Sequence, residues 1–131
     1  MKKSTWNDIG LLILRLGIGG FILFAHGWGK LAGFGDLAGK FPDPIGLGST
    51  TSLVLAVFAE ALCGLLIMIG LGTRFAAVPL LITMLVAAFV VHADDPWAKK
   101  EFALLYAIPF LTLIFTGGGR FALDSVIRRK R

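Results

Sequence analysis

The sequence has one cysteine, Cys63, in 131 residues, which excludes an intramolecular disulfide, a CxxC redox pair and a cysteine-rich metal cage. Charge is also scarce: 16% of residues are Asp, Glu, Lys or Arg, against roughly 25% in soluble domains. The 8 acidic residues are outnumbered by 13 Lys and Arg, giving a net charge of +5 and a pI of 9.8. These positive charges lie between apolar segments and at the termini, without a basic face carrying base-stacking aromatics, so no nucleic-acid partner is expected. What the chain has in abundance is apolar: 56% hydrophobic residues and a mean hydropathy of +0.84. The apolar residues gather into four segments of bilayer length. One membrane domain over residues 1–131 is the expected organisation. Lys2 and Lys3 before an apolar stretch imitate a signal peptide, but Arg15 interrupts the stretch and no A-x-A site follows, so it reads as a retained first span.

The expected fold is all-α, an integral membrane four-helix bundle with spans at about 9–31, 52–71, 75–91 and 102–116, because isolated membrane strands leave backbone groups unpaired. Pro79 and Pro109 fall inside the last two spans and are expected to bend them, with Thr83 and Thr112 close enough to help accommodate the change. Lys2, Lys3, Arg74, Arg120, Arg128, Arg129, Lys130 and Arg131 fall on one side if the termini share a face, and Lys30, Lys40, Lys99 and Lys100 fall opposite. The positive-inside rule then predicts cytoplasmic termini. The Gly- and Pro-rich segment from Ala32 to Thr51 becomes an outer loop or short interfacial helix. Trp6, Trp28 and Trp97 read as interface-belt residues.

The informative residues are the ionisable ones inside the apolar segments, since charge at membrane depth is costly and marks sites or pathways. At 100° per residue, Arg15, Gly19, His26 and Lys30 share one stripe of the first helix, which should face protein. Ala56, Glu60 and Gly64 are spaced by four, so the Glu60 carboxylate sits between small residues where another helix can approach. Glu101, Thr112 and Thr116 share a face of the last helix, implying a mildly polar interior. At about 1.5 Å per residue, Glu60 lies roughly 12 Å below the outer boundary, His26 roughly 8 Å and Arg15 roughly 24 Å. Glu60 is therefore expected to pair with His26, while Arg15 reaches cytoplasmic-side headgroups or backbone carbonyls near helix ends.

Two readings follow. In one, Glu60, His26, Lys30, His92 and Glu101 line an outward-opening polar cavity that binds a ligand, with Glu60 and His26 as candidate proton donors. In the other, Glu60 and His26 only fix helix register while the remaining three anchor the interface. Arg15 and Cys63 read as structural and packing residues. His26, His92, Glu60 and Asp94 offer ligand chemistry for a metal, but no local ligand spacing, so no metal site is expected. The triple glycine 117–119 lacks the Lys-Ser/Thr ending of a P-loop and reads as a helix terminator.

Leu14-Arg15-Leu16-Gly17, His26-Gly27 with Lys30-Leu31, Glu60 with Gly64, and the Gly70–Arg74 turn together resemble the DoxX family of small bacterial and archaeal four-span membrane proteins. The resemblance continues through His92, Glu101–Tyr106 and Thr116–Asp124, with Gly118 where the family commonly has Pro. It implies a multi-pass protein of the plasma membrane, with Arg15, Gly64, Arg74, Gly117, Gly119 and Asp124 as structural positions. DoxD-like relatives are subunits of a thiosulfate:quinone oxidoreductase, and others are membrane partners of soluble redox enzymes. The resemblance thus points to the membrane component of a quinone-linked oxidoreductase system rather than a self-sufficient enzyme, with the ligand near Glu60 and His26. Quinone reduction needs a membrane-buried pocket and a proton donor. The sequence carries no haem-attachment, flavin, iron–sulfur or nucleotide motif, so electrons would arrive from a redox partner protein or from the substrate itself. The alternatives are a docking or assembly module for a partner protein and a small-solute or proton pathway. Gly10 and Gly17, one heptad apart, offer a face either for a homo-oligomer or for contacts within the chain.

Overall fold

The computed structural model describes residues 2–131, which are helical with connecting turns. α1 spans Lys3–Ala32, α2 Phe34–Leu37, α3 Ser49–Ile69, α4 Thr73–Val91, α5 Trp97–Thr116 and α6 Leu123–Lys130. α1, α3 and α4 are long and apolar enough to cross a membrane. α5 is 20 residues long but opens with Lys99-Lys100-Glu101, leaving an apolar run from Phe102 to Thr116. α1 packs along α3, and α4 along α5. The core they enclose contains Ile22, Ile67, Leu80, Met84, Phe110 and Leu113. Large apolar side chains such as Phe21, Phe75 and Phe115 point outward, 65%, 84% and 76% exposed, which is the arrangement a lipid solvent permits and water penalises.

Glycines set the closeness of the α1–α3 crossing. A Cβ at Gly19 would stand 2.9 Å from the Gly64 carbonyl oxygen, and one at Gly27 would stand 2.6 Å from the Glu60 carbonyl carbon and the Ala61 nitrogen. Small residues thus let the two backbones meet, as membrane packing favours. Gly10 and Gly17 have nothing within 4 Å of an added Cβ, so neither is required by a close helix crossing.

The helices depart from regular α-geometry and from the expected polar faces. Three helices contain a π-helical stretch, at Leu23–Gly27, Phe58–Cys63 and Ala87–Val91; each widens the turn and rotates the residues beyond it off the 100° lattice. Glu101, Thr112 and Thr116 are exposed rather than interior. The Thr83 and Thr112 hydroxyls donate to the carbonyls of Pro79 (2.7 Å) and Ile108 (2.9 Å). Those are the back-bonds of helical threonine, not partners for the carbonyls of Phe75 and Leu105 that the prolines deprive of a donor.

Candidate functional site

Glu60 lies within the π-helical stretch of α3, its side chain 7% exposed. Its Oε2 accepts a 2.5 Å hydrogen bond from Lys30 Nζ, an ion pair 30 residues apart in sequence. Lys30 comes from the last turns of α1, and its side chain leans back toward the helix N-terminus, which brings the ammonium down to the level of the carboxylate. Gly27, one turn earlier, seats α1 directly on the Glu60 backbone.

His26 does not join the pair. Its ring packs edge-on against Tyr106 at 5.6 Å and tilts toward Phe102 at 6.4 Å, while Phe102 and Tyr106 meet at 5.4 Å. The π-helical stretch that contains His26 accounts for this: an added residue in the turn swings the imidazole toward α5. His92 is committed elsewhere as well, its Nδ1 2.7 Å from Asp95 Oδ2 in the turn after α4. Of the five expected cavity residues, the structure brings together Lys30 and Glu60; His26 faces the aromatics, His92 closes a turn and Glu101 is exposed.

The cavity beside the pair measures about 260 Å³. Ala56, Leu55, Ile82, Val86 and Val91 form its apolar walls, and Phe41, Pro42, Pro44 and Ile45 of the loop between α2 and α3 cover it. Ser52 and Thr83 also line it, but both hydroxyls already donate, to Asp43 Oδ1 (3.0 Å) and the Pro79 carbonyl. The second Glu60 oxygen, Oε1, has no hydrogen-bond partner among the described residues. An apolar slot with one acid–ammonium pair suits a small apolar ligand bearing one or two polar oxygens.

Asp43, which the sequence reading passed over, folds the loop above the cavity. It accepts from the N–H groups of Leu47 (2.8 Å) and Gly48 (2.9 Å) and from Ser52 Oγ. The Gly48 bond, supported by Ser52 and Leu47, holds its carboxyl below the usual carboxylate range. The signal for it was present: an Asp between two prolines, a few residues before Gly and Ser at a helix start, is turn and capping chemistry.

The other end of the bundle is fastened by Arg15, 1% exposed. Its Nε donates to the Gly118 carbonyl (2.9 Å) and Nη1 to those of Met68 (2.8 Å) and Ile67 (3.3 Å). Of the two sequence expectations for Arg15, carbonyl binding describes it and headgroup snorkelling does not. Asp124 accepts from the Gly72 and Thr73 N–H groups at 3.0 and 3.3 Å, and its own N–H donates to Gly70. Gly117 and Gly119 turn with φ of 70° and 84°, values that favour glycine. Gly64 packs under Ile22, and the Arg74 side chain lies across Gly117.

Exposed apolar flanks, spanning helices and an ion pair in an apolar slot define a small helical membrane protein with a buried polar site. The chain belongs to the DoxX family, whose profile matches residues 10–93. It is 34% identical over 128 residues to a Bacillus subtilis (strain 168) protein named "Putative oxidoreductase CatD", covering 97% of this chain and 92% of that one. An uncharacterized Haemophilus influenzae protein is 30% identical over 141 residues, covering 98% and 93%. The Escherichia coli (strain K12) inner membrane protein YqjF is 26% identical over 134 residues, covering 99% of each. No solved structure matches the chain.

Proposed function

We propose that this protein is the membrane component of a quinone-linked oxidoreductase system and binds a quinone-like ring in the cavity beside Lys30 and Glu60. The observation that carries the reading is the Lys30–Glu60 pair exposed to a half-enclosed apolar slot. The oxidoreductase name of the Bacillus subtilis relative agrees with it. A quinone carbonyl accepts hydrogen bonds, which Lys30 can donate, and its reduction takes up two electrons and two protons: the Lys30 ammonium gives up a proton to the reduced ring and is reprotonated from water, which also supplies the second proton, while the Glu60 carboxylate holds the ammonium in place. The electrons come from a partner redox protein. The volume is below the roughly 300–1,000 Å³ of drug-sized sites, so the ring enters and an isoprenoid tail remains in lipid. In this reading His26 is not the proton donor; it supports α5 through Tyr106.

The proposed topology places α5 as a fourth span and both termini in the cytoplasm of a bacterial or archaeal cell. It rests on the excess of Lys and Arg around the termini and the Arg74 turn. The Arg120 N–H bond to Asp8 (3.0 Å) ties two of these segments to one end of the bundle. The cavity then opens outward.

Solvent extraction and mass spectrometry of protein purified in native lipid tests the site. About one quinone per chain, lost in Glu60→Gln, is the expected result; equal quinone in both proteins, or none in either, overturns it.

A further inference from the structure

A second cavity, of about 510 Å³ and lined by both polar and apolar side chains, lies at the opposite end of the bundle from Lys30 and Glu60. Thr73, Arg74, Gly118, Gly119, Arg128 and Arg131 line it. Among the described residues none of the three arginines is in a salt bridge, and the Gly118 and Gly119 N–H groups have no acceptor. The one carboxylate in the lining, Asp124, is already occupied by the Gly72 and Thr73 N–H groups.

Beneath this surface lie two buried donors without partners, the Thr73 hydroxyl and Arg15 Nη2. Thr73 and Arg15 are each 1% exposed. Both pack under the Gly118 turn, where an added Cβ would stand 2.8 Å from Thr73 Oγ1 and 3.4 Å from Arg15 Cδ. Buried polar groups left unpaired in a native fold call for an explanation. Here they lie beside three guanidinium groups that have no carboxylate partner, Arg128 donating only to the Ser125 hydroxyl at 3.3 Å, and beside unpaired N–H groups in a positive-φ turn, both of which attract anions.

We propose that this end of the bundle is a binding site for a phosphate-bearing anion, held by Arg74, Arg128 and Arg131 over the Gly118–Gly119 turn. α6 borders the site and is amphipathic, with Leu123 and Ile127 on its apolar side and Arg128–Arg131 at its end. Such a helix lies in the membrane interface, where the phosphate of an acidic phospholipid is at hand; a soluble phosphate compound presents the same chemistry. Arg129 and Lys130 carry the same charge on the same helix but do not line the cavity, which separates a site from a basic surface.

The test uses the full chain in phosphatidylcholine nanodiscs with increasing phosphatidylglycerol, counting retained phosphatidylglycerol by native mass spectrometry. A second arm titrates inorganic phosphate into lipid-free detergent micelles and reads phosphorus NMR line broadening. The expected result is saturation near one anion per chain, at least tenfold weaker in Arg74→Gln/Arg128→Gln and unchanged in Arg129→Gln/Lys130→Gln. Saturation by phosphatidylglycerol alone identifies a headgroup site, and saturation by inorganic phosphate as well identifies a general phosphate site. Equal weakening in both double variants, or no saturation in either arm, overturns the proposal. If the Arg74/Arg128 variant loses its thermal transition, Arg131→Gln against Lys130→Gln decides: weakening confined to Arg131→Gln supports the site, and equal retention overturns it.

Discussion

Lys30 Nζ stands 2.5 Å from Glu60 Oε2, across the point where α1 rests on α3 through Gly27. The pair joins two spans, and its Lys30 end remains 23% exposed. Removing one partner of a fully buried pair costs about 3–5 kcal/mol, and the partial exposure reduces this to about 2. Lys30→Met is therefore expected to destabilise by about 2 kcal/mol, with Lys30→Met/Glu60→Leu less destabilised than the two single changes combined. Unfolding in detergent for all four proteins of the cycle measures it.

Gly27→Ala drives a methyl group into the Glu60–Ala61 backbone, where a Cβ has 2.6 Å of room. Overpacking of this kind costs about 1–3 kcal/mol. Gly10→Ala meets nothing within 4 Å and is expected to be neutral or to stabilise α1 by less than about 1 kcal/mol. Paired melting curves distinguish a packing glycine from a spare one.

Arg15 binds three carbonyls on two separate segments through the planar fork of its guanidinium. A lysine has the charge without the fork. Arg15→Lys is expected to lower stability by about 2–4 kcal/mol, since charge-assisted hydrogen bonds contribute about 1.5–3 kcal/mol each. Slower exchange of the Gly117 and Asp124 amides, which donate to Leu113 and Gly70, in the wild type than in Arg15→Lys would locate the loss at this end.

Asp43 sets the acid limit of the loop over the cavity. Its carboxyl is held low, chiefly by the Gly48 N–H, so its contribution is complete above its unfolded value near 3.9 and is lost as pH falls through the lower folded value. The loop is expected to remain closed at pH 5 and to open only in stronger acid, whereas Asp43→Asn weakens it at every pH. Hydrogen exchange at Leu47 and Gly48 follows both.

Three spans, α1, α3 and α4, were readable from apolar run length, and the burial of Glu60 and Arg15 from the cost of turning a charge toward lipid. The partner of Glu60 was not readable. A Glu60–His26 pair requires uniform α-helical pitch, and the π-helical stretches at Leu23–Gly27 and Phe58–Cys63 break that pitch at both residues. π-helical turns leave no clear mark on hydrophobic periodicity, because they depend on how neighbouring helices pack. The cavity cover was hidden for a related reason. Phe41, Pro42, Pro44 and Ile45 meet the slot only through the fold that Asp43 imposes on a loop without periodicity.

The central claim, that an apolar ring binds beside Lys30 and Glu60, is tested most directly by filling the slot while leaving the ion pair chemically intact. Ala56 lines the cavity, and Ala56→Phe places an aromatic ring in that space. Binding of a short-chain quinone analogue to the reconstituted full chain is expected to weaken at least tenfold in Ala56→Phe, with the thermal transition preserved. Unchanged affinity in a folded Ala56→Phe protein would contradict the account.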